Sequence, residues 1–124
     1  MVRGKKPVAA IREAKRFAER MGYRWMDNPY PDLSFDFWIS KPVAFRAVKV
    51  RLIRNRIDPD AFYEDLFPDE IRELRELPFP RYILRELWVR TRHERAWRRL
   101  VIHDLSVMEI EWWKPDGYTN PYAR

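Results

Sequence analysis

Two short apolar runs separated by a brief polar break constrain the fold of this chain more than any other feature. The runs are residues 35–39 and 43–53, and the break between them ends in Pro42. Both runs are rich in aromatic and β-branched residues, which predicts two neighbouring strands. Asp36 lies in the first run and Lys49 in the second. The pattern therefore predicts that a carboxylate and an ammonium group meet at one edge of a sheet.

Helical and strand patterns alternate along the rest of the chain. Apolar residues recur at helical spacing over residues 8–21, and Gly22 follows as a helix-ending residue. Further strands are predicted at 23–26, 82–91 and 97–102, and short helices at 60–66 and 69–77, the first after an Asp58-Pro59 start. Residues 104–113 fit a final helix or an edge strand equally well. This order predicts one α/β domain over residues 1–124, a mixed central sheet flanked by helices, with a basic arm at 1–6 and a polar tail at 114–124.

The charge balance limits the kinds of partner. The net charge is +6, from 25 Lys and Arg against 19 Asp and Glu, and most of the cations are arginine. Arginine pairs bidentately with phosphate and stacks on flat rings, so this excess favours nucleic acid over other acidic partners. Composition alone fits equally well a surface of ion-pair networks of the kind found in thermophile proteins.

Several classes of protein are excluded. The chain has no cysteine, which removes disulfides and thiolate metal sites, and its 3 glycines form no phosphate-binding loop. No apolar run is long enough to cross a bilayer, and the N-terminal stretch lacks the apolar core of a secretory signal. The sequence predicts a cytoplasmic protein without a membrane partner.

Basic residues are densest near the predicted hairpin turn at 92–95. Trp88 and Trp97 lie among them, and we expect both rings to pack into the core. We expect the arginines to contact phosphates, with the N-terminal arm as a second contact. The predicted nucleic-acid-binding residues are Arg90, Arg92, Arg95, Arg98, Arg99, Lys5 and Lys6.

Three segments, in this order, resemble the PD-(D/E)XK, or restriction-endonuclease-like, superfamily. REAKRFAERMGY (12–23) resembles its first helix with the Gly-aromatic pair that follows. FDFWISKPVAFRAVKV (35–50) resembles its acid-bearing strand, turn and lysine-bearing strand, and ELWVRTRHERAWRRLVI (86–102) resembles its late hairpin. Small archaeal Holliday-junction-resolvase-like nucleases are the members that the chain resembles most.

The resemblance implies a catalytic set. In the superfamily an Asp and a Glu bind Mg²⁺, and a Lys two residues after the Glu positions the attacking water. Asp36 and Lys49 match the Asp and the Lys, whereas the Glu position is Ala47. Glu13 matches a first-helix carboxylate that assists the metal in some members. The implied catalytic residues are therefore Asp36, Lys49 and Glu13, with Asp36 and Glu13 as the Mg²⁺ ligands.

Two functions remain open at this stage. The first is Mg²⁺-dependent phosphodiester cleavage of DNA at a displaced or degenerate metal site, since Mg²⁺ can be held by one or two carboxylates together with substrate phosphate. The second is a catalytically inactive module that binds nucleic acid, DNA ahead of RNA, or takes part in protein assembly. In that case Asp36 and Lys49 form a simple cross-strand ion pair. Resolvase-like relatives act as dimers, so the resemblance also implies a homodimer.

Overall fold

A six-stranded sheet is the centre of the structure, a computed structural model that describes residues 6–92, 94 and 97–110. The strands are hydrogen-bonded in chain order, β1 to β6, and every neighbouring pair is antiparallel except β3 and β4, which are parallel. The elements are α1 (Val8–Arg20), β1 (Arg24–Asp27), β2 (Phe37–Lys41), β3 (Ala44–Ile53), α2 (Tyr63–Leu66), α3 (Pro68–Arg75), β4 (Leu84–Thr91), β5 (Arg98–Ile102) and β6 (Val107–Ile110).

The helices cover both faces of the sheet. The parallel pair β3–β4 needs a crossover connection, and α2 and α3 lie in it. Core residues of α3, Ile71 and Leu74, pack on one face of the sheet, and α1 packs on the other. The predicted mixed sheet flanked by helices is confirmed.

Small side chains let α1 lie close to the sheet. Ala10, Ala14 and Ala18 recur every four residues on one side of the helix and are all buried. Their partners include Trp88, which is fully buried at the centre of β4. Gly22 ends the turn after the helix with a φ of 88°, in the region that favours glycine. The predictions that residues 8–21 form a helix and that Trp88 and Trp97 lie in the core are confirmed.

Two predictions at element boundaries require correction or completion. Asp58 does not start a helix: its Oδ1 accepts a hydrogen bond from the Asp60 backbone N–H at 2.9 Å, and α2 begins only at Tyr63. The Asp58 side chain thus forms a local turn, as Asp commonly does before a proline-containing loop. The ambiguous segment 104–113 contains the edge strand β6, and residues 111–113 lie outside the described residues.

The predicted basic arm and polar tail lie largely outside the described residues. Residues 1–5 of the basic arm and the whole tail at 114–124 are not among the described residues. Within the part of the chain that is described, no helix combines the length and apolar character needed to cross a bilayer.

Candidate nucleic-acid interface

Asp36 lies directly before β2 and is fixed by the neighbouring strand β3. Its backbone N–H donates to the Val48 carbonyl at 2.8 Å, and its Oδ2 accepts from the Val50 N–H at 2.6 Å. Because Phe37 pairs with Val48 in an antiparallel register, Asp36 comes opposite Lys49. The structure therefore brings together the acid and the amine that the sequence places on adjacent strands.

These two side chains line one pocket at the end of the sheet, which we call the strand-end pocket. It has a volume of about 350 Å³, and its polar lining comes from Lys6, Asp32, Ser34, Asp36 and Lys49. Lys49 Nζ donates to Ser34 Oγ at 2.8 Å, so the amine is held by a hydroxyl and acts on Asp36 through its charge. The pocket carries two cations and two carboxylates, so its formal charge is balanced.

Burial dominates the electrostatics of Asp36. Desolvation raises the pKa of its carboxyl above the usual value, against the opposing effects of the Val50 N–H and of the charges on Lys49, Lys6 and Lys15. A raised pKa means that this environment disfavours the ionised form.

The residue that the resemblance aligns with the superfamily's Glu, Ala47, has no side-chain atom that could bind a metal. Ala47 is 0% exposed and belongs to the core that contains Phe35 and Trp38. Trp38 is its direct partner across the β2–β3 ladder, and the ring centroids of Phe35 and Phe79 lie 4.7 and 4.8 Å from that of Trp38. Aromatic rings thus occupy the space beside Ala47. We call Phe35, Trp38 and Phe79 the aromatic cluster.

Glu13, the implied helix ligand, is paired elsewhere. Its carboxylate forms an ion pair with Arg90 of β4 and is not part of the strand-end pocket. Of the implied Mg²⁺ ligands, the pocket holds Asp36 alone. Among the described residues, no group of three or more His, Cys, Asp or Glu side chains is placed to hold a metal ion. The residues present do not fit the superfamily's Mg²⁺ site.

The arginines near the hairpin are largely compensated by acids. Arg90 pairs with Glu13, and its guanidinium lies 4.5 Å from the centre of the Trp97 ring. Arg98 Nε binds Glu94 Oε2 at 2.8 Å. Arg92 is exposed, whereas Arg95 and Lys5 lie outside the described residues.

Arg99 is the clearest departure from the expected phosphate-contacting role, because it is buried against a carboxylate that the sequence analysis did not single out. Its Nε and Nη2 bind the two oxygens of Glu86 at 2.8 Å each. The same oxygens accept from Trp88 Nε1 and from Arg46 Nη1, both at 2.7 Å. These cations hold the pKa of Glu86 below its usual range despite complete burial. The signal for this network was an acid on a central strand with apolar Leu84 and Trp88 two residues to either side.

Two arginines on α1 also carry charge that no acid among the described residues compensates. Arg12 and Arg16 are four residues apart, exposed, and without an ion-pair partner in the described structure. They border a groove of about 400 Å³ between α1 and β1, which also includes Lys6, Lys15 and Trp25 and which we call the α1–β1 groove. Lys6 lines both this groove and the strand-end pocket, so the two concavities adjoin at that residue. The sequence signal was the helical spacing of Arg12 and Arg16 away from the apolar stripe.

Comparison with known proteins supports the fold. No family model matches the sequence, and no curated protein matches it. Among solved structures, the chain is similar to the Holliday junction resolvase Hjc of the archaeal hyperthermophile Archaeoglobus fulgidus, with a TM-score of 0.56 and 12% identity over 83% of this chain and 81% of that chain. The chain therefore has a nuclease-like α/β fold, as the order of its elements predicted.

Proposed function

We propose that this chain binds the phosphate backbone of nucleic acid, DNA ahead of RNA, without hydrolysing it. The contact surface consists of the α1–β1 groove and the adjoining strand-end pocket. The similarly folded Archaeoglobus protein is a Holliday junction resolvase, and this favours DNA as the ligand. Nuclease ancestry accounts for the fold, while the residues at the former metal position account for the loss of cleavage.

The observation that carries the proposal is the unpaired charge on α1. Arg12 and Arg16 are free of acidic partners in the described structure, whereas Arg90, Arg98 and Arg99 are each held by a glutamate. An arginine already neutralised by a buried or adjacent carboxylate gains little from a phosphate, because it must first lose that partner. An exposed, unpaired arginine releases counterions from the nucleic acid on binding.

The proposed absence of hydrolysis rests on the side chains at the three positions that the resemblance assigns to the metal. Metal-assisted cleavage needs a cation that polarises the phosphate and lowers the pKa of the attacking water. Asp36 is the one implied ligand that lines the pocket, Ala47 offers no ligand atom, and Glu13 is paired with Arg90. Lys49 remains available as a positive group at the pocket. Its amine, held by Ser34, can contact a phosphate that enters from the α1 side.

A salt titration of DNA binding tests the phosphate contacts. Each phosphate contact contributes about 0.9 to the slope of log K against log salt. The double variant Arg12→Gln/Arg16→Gln should therefore lower that slope by about 2. The matched control is Arg24→Gln/Arg54→Gln, which removes the same charge from exposed positions outside the groove and the pocket. Equal slopes for the two double variants would refute the assigned surface.

A cleavage assay tests the second half of the proposal. The parent protein, incubated with junction and duplex DNA in Mg²⁺ or Mn²⁺, should leave the DNA intact. Metal-dependent cleavage that is lost in Asp36→Ala would show that Asp36 serves a displaced metal site. That result would overturn the inactive assignment and leave the binding surface standing.

A further inference from the structure

The α1–β1 groove is lined by apolar side chains, which we call its floor, and by cationic side chains, which we call its rim. Val8, Ile11 and Trp25 supply the apolar part, and Val8 is 64% exposed although it is aliphatic. Arg12 and Arg16 stand beside them. A groove that serves phosphates alone has no need of exposed apolar side chains, since these gain nothing from an ion.

Polar contacts fix the orientation of Trp25 within the groove. Its indole Nε1 donates to Glu19 Oε2 at 2.8 Å. Lys15 Nζ lies 4.1 Å from the ring centroid and 2.5 Å from Asp27 Oδ1. The charge of Lys15 is thus already matched by a carboxylate and a ring, and its amine covers one face of the indole, so that a base would contact the opposite face or the edge of the ring. The ring itself is only partly buried and is held in place before any ligand binds.

We propose that this groove receives one unpaired nucleotide of the bound nucleic acid. Its base lies on the floor formed by Val8, Ile11 and Trp25, and its flanking phosphates lie against Arg12 and Arg16. This inference rests on the proposed nucleic-acid binding and specifies which part of the ligand enters the groove.

Size and charge select this occupant. The groove volume of about 400 Å³ falls within the range of small-ligand sites. A flat apolar ring attached to an anion matches an apolar floor with cations at its rim, and base stacking on aromatic side chains tolerates any base. A base inside an intact duplex presents only its edges and cannot lie on the floor. The groove therefore distinguishes nucleic acid with an extrahelical or single-stranded nucleotide from a perfect duplex.

The test compares two labelled DNAs, a perfect duplex and the same duplex with one extrahelical thymidine. Fluorescence anisotropy gives the ratio of the two dissociation constants. The parent protein should prefer the bulged DNA, and Trp25→Ala should reduce that preference about tenfold, the usual effect of removing a stacking ring. Trp25→Phe, which keeps a flat ring, should retain most of it. The matched control is Met26→Ala, an exposed neighbour on β1 that lies outside the groove.

A measurement on the parent protein removes any dependence on the folding of the variants. The indole Nε1–H resonance of Trp25, assigned by its loss in Trp25→Phe, should shift on titration with bulged DNA and stay nearly unchanged with the perfect duplex. Equal shifts with both DNAs, or an unchanged preference in Trp25→Ala, would overturn the nucleotide site while leaving phosphate binding intact. If the parent protein showed no salt-sensitive binding to either DNA, the proposed function itself would be refuted.

Discussion

The substitution Ala47→Glu places a carboxylate at the position that the resemblance aligns with the superfamily's Glu, and it tests whether that residue alone creates a metal site. If the position were an open metal site, the introduced carboxyl would join Asp36 and Lys49 and create Mg²⁺-dependent activity. The structure predicts a different result. Ala47 is completely buried and faces Trp38 across the ladder, so the new side chain enters the aromatic cluster.

The expected loss of stability has two parts. Inserting extra atoms into a packed core costs about 1–3 kcal/mol. Burying an ionised carboxyl without a partner costs several kcal/mol more, which the group avoids in part by remaining protonated. Ala47→Glu should therefore lower the free energy of unfolding at pH 7 by at least about 3 kcal/mol, against a total of about 5–15 kcal/mol for a typical domain.

Urea unfolding of the parent, Ala47→Glu and Ala47→Gln separates the two parts, because the amide repeats the added volume without the charge. The introduced carboxyl has a folded-state pKa above the unfolded value of about 4.3, so its extra penalty over the amide is absent at acid pH and grows as the pH rises. Equal stability of the two variants from about pH 4 to 8, together with Mg²⁺-dependent DNA cleavage by Ala47→Glu, would refute the reasoning.

Two further substitutions probe the buried carboxylates. Glu86→Gln leaves Arg99 without a counter-charge and should cost about 3–5 kcal/mol in urea unfolding, and a cost below about 1 kcal/mol would contradict the network. Asp36 should show the opposite pH dependence to Glu86. Because burial raises the pKa of Asp36, the folded protein keeps a proton that the unfolded chain has already lost. The free energy of unfolding therefore falls as the pH rises above the pKa of Asp36 in the unfolded chain. Asp36→Asn should remove that slope and raise the urea midpoint at neutral pH, and a lowered midpoint would show that the charge of Asp36 stabilises the fold.

Most of the fold could be predicted from the sequence because the patterns that indicate helices and strands involve residues close together in the chain. The central strands, the helix over residues 8–21 and the burial of Trp88 and Trp97 follow from periodicity and residue type. The predicted helix start at Asp58 was wrong because an Asp side chain can accept a backbone hydrogen bond either at the start of a helix or in a turn. The segment 104–113 could not be assigned as helix or strand from its sequence, because its conformation depends on pairing with a neighbouring strand. β5 supplies the hydrogen bonds that make β6 a strand.

The sequence by itself determined the mixed sheet with flanking helices and the meeting of Asp36 with Lys49, since strand spacing and alternation depend on residues close together in the chain. Only the tertiary structure decided which arginines are free of acidic partners and so available to contact a phosphate. The run of arginines near the hairpin is densest in sequence, yet Glu13 and Glu86, distant in the chain, neutralise Arg90 and Arg99. Ion pairing and burial are set by which side chains converge after folding, and this is why, among the described residues, Arg90 and Arg99 are neutralised while Arg12 and Arg16 on α1 are not.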